Sequence, residues 1–171
     1  LRLMNWNNPN YIGWTPNWAT RKTLTSYTNA RASTTVGGVP QQIYEMPWEY
    51  CYQLGNAASR DIWICFHHLA SDSYIQSACQ LIHAGLAPGL KVFVEHSNET
   101  WNSAFPSRQF CIDSGDGTDT DPVRRGFIFH MDRTAAIGNI AKANMPGRTV
   151  RTVMGVQSAG GVGFWDYASS K

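Results

Sequence analysis

The residues best suited to do chemistry lie in one short stretch, Leu90-Lys-Val-Phe-Val-Glu95-His-Ser-Asn98-Glu99-Thr-Trp101-Asn. An apolar β-type run ends there in an amide and a carboxylic acid side by side, followed by an aromatic. Buried polar groups without partners cost several kcal/mol, so a strand that delivers such a pair at its mouth has a task for it. Two further apolar stretches carry polar ends. Arg2 sits near the end of the first, and His67-His68 follow Asp61-Ile-Trp-Ile-Cys-Phe66. A carboxyl, an amide, an imidazole and a guanidinium on one rim make an acid/base site. The amide is suited to hold a substrate hydroxyl, and the arginine to orient or stabilise a second carboxylate.

The elements that must position these groups follow from pattern. Residues 1–6 read as a short strand, and residues 7–38, rich in Asn, Thr, Gly and Pro, as a long loop of the functional kind. Pro47 suits the first turn of a helix reaching about Leu54 and stopped by Gly55-Asn56. The strand at 61–66 leads to a helix capped by Ser71-Asp72-Ser73, with Tyr74, Ile75, Ala78 and Ile82 on one face and Gly85 at its end. Residues 90–97 form the next strand and 102–121 a second loop. Asp121-Pro122 opens a helix carrying Val123, Phe127, Met131, Ile137, Ile140 and Ala141, and 149–157 reads as a last strand. Strands and helices alternate, and the strands are apolar on both faces. The fold class is therefore α/β with a parallel sheet, and the strand ends fall on one rim, as in a (β/α) barrel.

Composition narrows the function. The chain has 171 residues, a net charge of +2 and only 15% charged residues. That excludes the basic stripe of a nucleic-acid binder, and no apolar run is long enough to span a membrane. Seven Trp and seven Tyr against few charges suit a protein that stacks on sugar rings; Trp6, Trp14, Trp18 and Trp101 lie on or beside the rim loops. Cys51, Cys65, Cys79 and Cys111 show no zinc-type spacing. Three of them fall in apolar runs, which favours buried thiols over two disulfides. The aspartates from Asp113 to Asp121 lack the spacing of a calcium loop and read as a solvated turn. Glu95, inside its apolar run, reads as a partner of an arginine or histidine rather than a catalyst. Asn98-Glu99-Thr100 is also a glycosylation sequon, but a strand end inside a barrel mouth is a poor acceptor.

The Asn98-Glu99 pair, with Glu95 before it, resembles the fourth strand of the clan-A glycoside hydrolases, the cellulase-like (β/α)8 superfamily. Arg2 matches the arginine on that superfamily's second strand, and His67 or His68 the histidine ending its third. Residues 47–101 are also similar to a bacterial-type group of cellulase-like barrel proteins. The resemblance implies that Glu99 is the general acid/base and that Asn98 bonds the sugar 2-hydroxyl. It implies a polysaccharide or other glycan as partner, an extracellular setting and no cofactor or metal. It covers strands two to five only, whereas a whole barrel needs about 250 residues. The nucleophile that retaining hydrolysis requires, about 5–5.5 Å from the acid, belongs to strand seven. The chain is thus expected to be a partial barrel within a longer polypeptide. Its open sheet edges would meet the rest of that polypeptide or neighbouring subunits. The rival expectation is a non-catalytic glycan-binding protein on the same scaffold.

Overall fold

The computed structural model describes residues 1–7, 9–11, 13–36 and 38–157. Strand β3 (Ile62–Phe66), helix α2 (Asp72–Gly85), β4 (Val92–His96), helix α3 (Pro106–Ser114), helix α4 (Pro122–Asn144) and β5 (Val150–Val153) follow a hairpin, β1 (Ala30–Val36) with β2 (Val39–Tyr44), and helix α1 (Trp48–Ala58). The sheet order is β3-β4-β5, parallel throughout, with Cys65 opposite Glu95 and Glu95 opposite Val153. The first residues join its edge, because Arg2 bridges Trp63 in parallel. Among the described residues the sheet does not close into a barrel.

Alternation along β3 and β4 sorts their side chains into two layers. Ile62, Ile64, Phe66, Val92 and Val94 point into the core, where they meet Trp48 and Cys51 of α1, Tyr74, Ile75, Ala78 and Ile82 of α2, and Ile137 and Ala141 of α4. The helices cover that side. On the other side stand Trp63, Cys65, Phe93 and Glu95, with Trp63 and Phe93 half-buried. The Ser71 and Asp121 caps form as their residue types require, Ser71 accepting from the Tyr74 N–H and Asp121 from those of Val123 and Arg124.

Several expected elements differ. Residues 1–6 make a single bridge and then a 3₁₀ turn over Met4–Asn7 instead of a strand. The expected loop over 7–38 contains β1, which pairs antiparallel with β2; positions 8, 12 and 37 lie outside the described residues. The loop over 102–121 holds α3, and the last strand is shorter than 149–157. Helix α1 does not stop at Gly55. A β-carbon there would meet Ile62 Cγ2 at 2.8 Å, so the glycine serves the packing of helix on strand. The helix ends instead at Ser59, in the left-handed conformation with φ 51°.

All four cysteines are free and buried. Burial raises each thiol, Cys79 and Cys111 to about 12. The aspartate loop is occupied by its own chain: Asp116 accepts from the Thr118 N–H, Asp119 pairs with Arg124, and Asp121 caps α4. Among the described residues, no helix is long and apolar enough to cross a membrane.

Candidate functional site

The side of the sheet away from the helices carries a polar cluster centred on Glu95, which is 1% exposed. Its carboxylate accepts from Arg2 Nη2 at 3.1 Å, from Trp63 Nε1 at 2.8 Å and from the Cys65 thiol at 3.2 Å. The strand period places all of these on one face, since Trp63 and Cys65 alternate with the core residues of β3 and Glu95 lies directly across from Cys65. The Arg2 guanidinium also lies over the Trp63 ring, 4.5 Å from its centroid. Partial burial works against the charge on Arg2, but the negative charge of Glu95 outweighs it and the guanidinium pKa is raised. Glu95 is thus a structural anion, as its place inside the apolar run implies. The chain closes over it at Gly155, where a β-carbon would fall 2.4 Å from Glu95 Oε1.

The same Nη2 of Arg2 donates to Asn98 Oδ1 at 2.8 Å. This fixes the amide: its oxygen is taken, and the Nδ2 group remains as the end that donates. The backbone carrying Asn98 is strained. Ser97 and Glu99, on either side, both adopt left-handed conformations, with φ of 56° and 47°. Ser97 is held by its N–H to the Phe66 carbonyl, which extends the β3–β4 pairing, and by its hydroxyl to the Pro9 carbonyl, both at 2.8 Å. Asn98 itself is 3% exposed, a poor setting for glycosylation. Glu99 is half-buried. Its Oε2 accepts from Asn102 Nδ2 at 2.9 Å, and the Asn102 N–H donates to its carbonyl.

The histidines take a different part. His67 Nε2 donates to the Tyr11 carbonyl at 2.8 Å while its Nδ1 accepts from the Leu69 N–H at 3.1 Å. His68 Nδ1 donates to the Pro9 carbonyl at 2.8 Å. The two rings stack with centroids 4.4 Å apart. Burial, then the neighbouring His68, pushes His67 down to about 3, and burial lowers His68 as well. Both imidazoles therefore pin the segment around Pro9 and Tyr11 against the strand ends. The Pro9 carbonyl, shared by His68 and Ser97, links this clamp to the neighbour of Asn98. Arg2, Glu95 and Asn98 thus form one bonded group, and His67 and His68 another beside it.

Among the described residues, the tryptophans beside the rim have protein partners. Trp6 and Trp18 pack against the core. Arg21 lies over the Trp18 ring, and Trp14 stands edge-on to His67 at 5.3 Å with Arg31 over it. Trp101 faces Gly155 and lines, with Thr100, Arg108, Ile112 and Phe127, a cavity of about 90 Å3 between α3 and α4.

No protein-family model, curated protein or solved structure matches this chain. The sequence resemblance and the geometry of the rim therefore carry the functional reading alone.

Proposed function

We propose that this chain is carbohydrate-active, a segment of a (β/α) barrel whose strand ends form the site for a β-linked polysaccharide. The arrangement that supports a barrel segment is the one-sided cover of the sheet. Helices pack on the face that holds Ile64 and Val94, and the opposite face carries Arg2, Trp63 and Glu95. In a barrel that opposite face is the interior. The observation that carries the functional reading is the Arg2 bond to Asn98 Oδ1. It presents an amide donor at the strand end, next to a half-buried carboxylic acid at Glu99, as a sugar hydroxyl and a glycosidic oxygen would require. Glu99 acts as the proton donor and Asn98 binds the sugar. The edge at β5, unpaired among the described residues, is where the rest of the polypeptide or a neighbouring subunit completes the wall, and the site of action is extracellular.

A second reading, glycan binding without cleavage, has an observation of its own. Retaining hydrolysis needs a second carboxylate about 5–5.5 Å from the acid, and Glu95 is committed to Arg2, Trp63 and Cys65. One experiment separates the two. The full-length protein and its Glu99→Gln variant are incubated with a panel of β-linked polysaccharides, and both retention on the polymer and release of reducing ends are measured. The hydrolase reading expects cleavage by the parent and none by the variant, with retention equal. Retention without cleavage by either protein transfers the assignment to glycan binding. Cleavage that survives Glu99→Gln refutes the role of Glu99, and neither retention nor cleavage refutes both readings.

A further inference from the structure

We propose that His96, Cys111 and His130 form a binding site for a zinc-class divalent cation, separate from the rim around Arg2. Three elements bring them together: the end of β4, helix α3 and helix α4. One nitrogen of each ring and the Cys111 sulfur lie within 4.8 Å of one another. The residues are 0%, 1% and 2% exposed respectively. Two imidazoles and a thiol are the donor set that Zn2+ prefers, and the set is too soft for Ca2+ or Mg2+.

The distances fit without rebuilding the fold. His96 Nδ1 and His130 Nδ1 are 3.0 Å apart. Two nitrogens on one tetrahedral zinc, each about 2.0–2.1 Å from the metal, are about 3.3 Å apart. A small separation of the rings and a modest approach of the sulfur complete the geometry.

In the bond between the two Nδ1 atoms one ring donates and the other accepts, so the rings are opposite tautomers. A metal held by both Nδ1 atoms takes the Nε2–H tautomer of each ring, so the ring that now donates moves its proton from Nδ1 to Nε2 on binding. Burial keeps both rings neutral, the form in which imidazole binds metal.

Access comes from the cavity beside Trp101. Its walls include Ile112, next to Cys111, Phe127, one turn before His130, and Gly155, whose backbone bonds His130. Binding is a proton-for-metal exchange: the Cys111 S–H bond breaks, a sulfur–metal bond forms, and one proton leaves to solvent. Both imidazoles bind as neutral donors. Three protein ligands leave a fourth position for water.

The test uses the folded protein stripped with chelator and titrated first with Co2+, then with Zn2+. One Co2+ per chain is expected, with a near-ultraviolet thiolate-to-cobalt band, tetrahedral visible bands, about one proton released per ion, and bleaching when Zn2+ displaces Co2+. Cys111→Ser should remove the near-ultraviolet band and weaken binding at least tenfold, while Cys79→Ser, a change at another buried thiol, leaves both unchanged. Absence of stoichiometric binding, or persistence of the thiolate band in Cys111→Ser, overturns the proposal. Should Cys111→Ser fail to fold, zinc-edge X-ray absorption on the parent protein decides: one sulfur near 2.3 Å and nitrogens near 2.0–2.1 Å support the site, and a shell without sulfur overturns it.

Discussion

Acidification should strip stability from this fold through His67, by an amount that its environment sets. The ring works only as the neutral Nε2–H tautomer, because Nδ1 accepts from the Leu69 N–H while Nε2 donates to the Tyr11 carbonyl. A proton on Nδ1 would turn N–H against N–H. Burial, with His68 stacked alongside, holds His67 at about 3 against an ordinary value of 6.5. In the unfolded chain the imidazole takes up its proton near pH 6.5. Between those two values the unfolded state binds more protons than the folded one, so stability falls as pH falls. The contribution is whole above pH 6.5 and drains by about 1.4 kcal/mol per pH unit until the folded value is reached. Between pH 6.5 and 5 that is roughly 2 kcal/mol from His67 alone. His67→Asn offers an amide oxygen to the Leu69 N–H and cannot titrate. Urea unfolding followed by tryptophan fluorescence, with chelator present, at pH 7, 6 and 5 measures the effect. The variant should be less stable at pH 7, yet lose about 2 kcal/mol less than the parent on going to pH 5. Parallel losses in the two proteins, or a His67 ring seen by NMR to titrate near 6.5, would refute the reasoning.

Two further outcomes concern packing and charge. Arg2→Ala leaves the Glu95 carboxylate buried without its cation. We expect a loss of about 3 kcal/mol, the low end for broken buried pairs because the Arg2 side chain is 39% exposed. Adding Glu95→Gln should recover about 1 kcal/mol or more of that loss, and purely additive costs in denaturant titrations would contradict the coupling. Gly138→Ala sets a β-carbon 2.1 Å from Thr152 Oγ1, where α4 lies against β5. It should cost about 2 kcal/mol and be partly rescued by Thr152→Ala. An unchanged melting temperature for the single variant would contradict this packing.

The parallel sheet and its helices were legible because their signals are redundant. The apolar runs of β3 and β4, the Ser71 and Asp121 caps and the spacing of Tyr74, Ala78 and Ile82 all agree with one arrangement. The hairpin was not, because Ala30–Val36 is built of small and polar residues and carries no apolar period. The remaining signal was the Gly37-Gly38 dipeptide, of the kind two-residue hairpins use. Helix α3 was hidden by its polar composition, and α1 overran Gly55 because contact with Ile62 outweighs a glycine's local cost. At the site, a carboxylate inside an apolar run announced that Glu95 pairs with an arginine or a histidine, and the structure makes it Arg2. The clamp role of the histidines was not, since their acceptors are backbone carbonyls of Pro9 and Tyr11, which no side-chain pattern announces. His96 and His130 were missed for a related reason: 34 residues separate them, and no short motif links a strand end to the middle of a long helix.

The bond from Arg2 to Glu95 spans 93 positions and that to Asn98 spans 96. Arg2 is carried to them by its bridge to Trp63, at the edge of the paired β3 and β4. Closing so long a loop carries an entropy cost that nothing local offsets beforehand. We expect the rim to assemble late in folding, so that changes at Arg2, Glu95 or Asn98 should raise the unfolding rate more than they slow folding. Sequence variation at the rim would then shorten the native chain's lifetime and leave the route by which it folds the same.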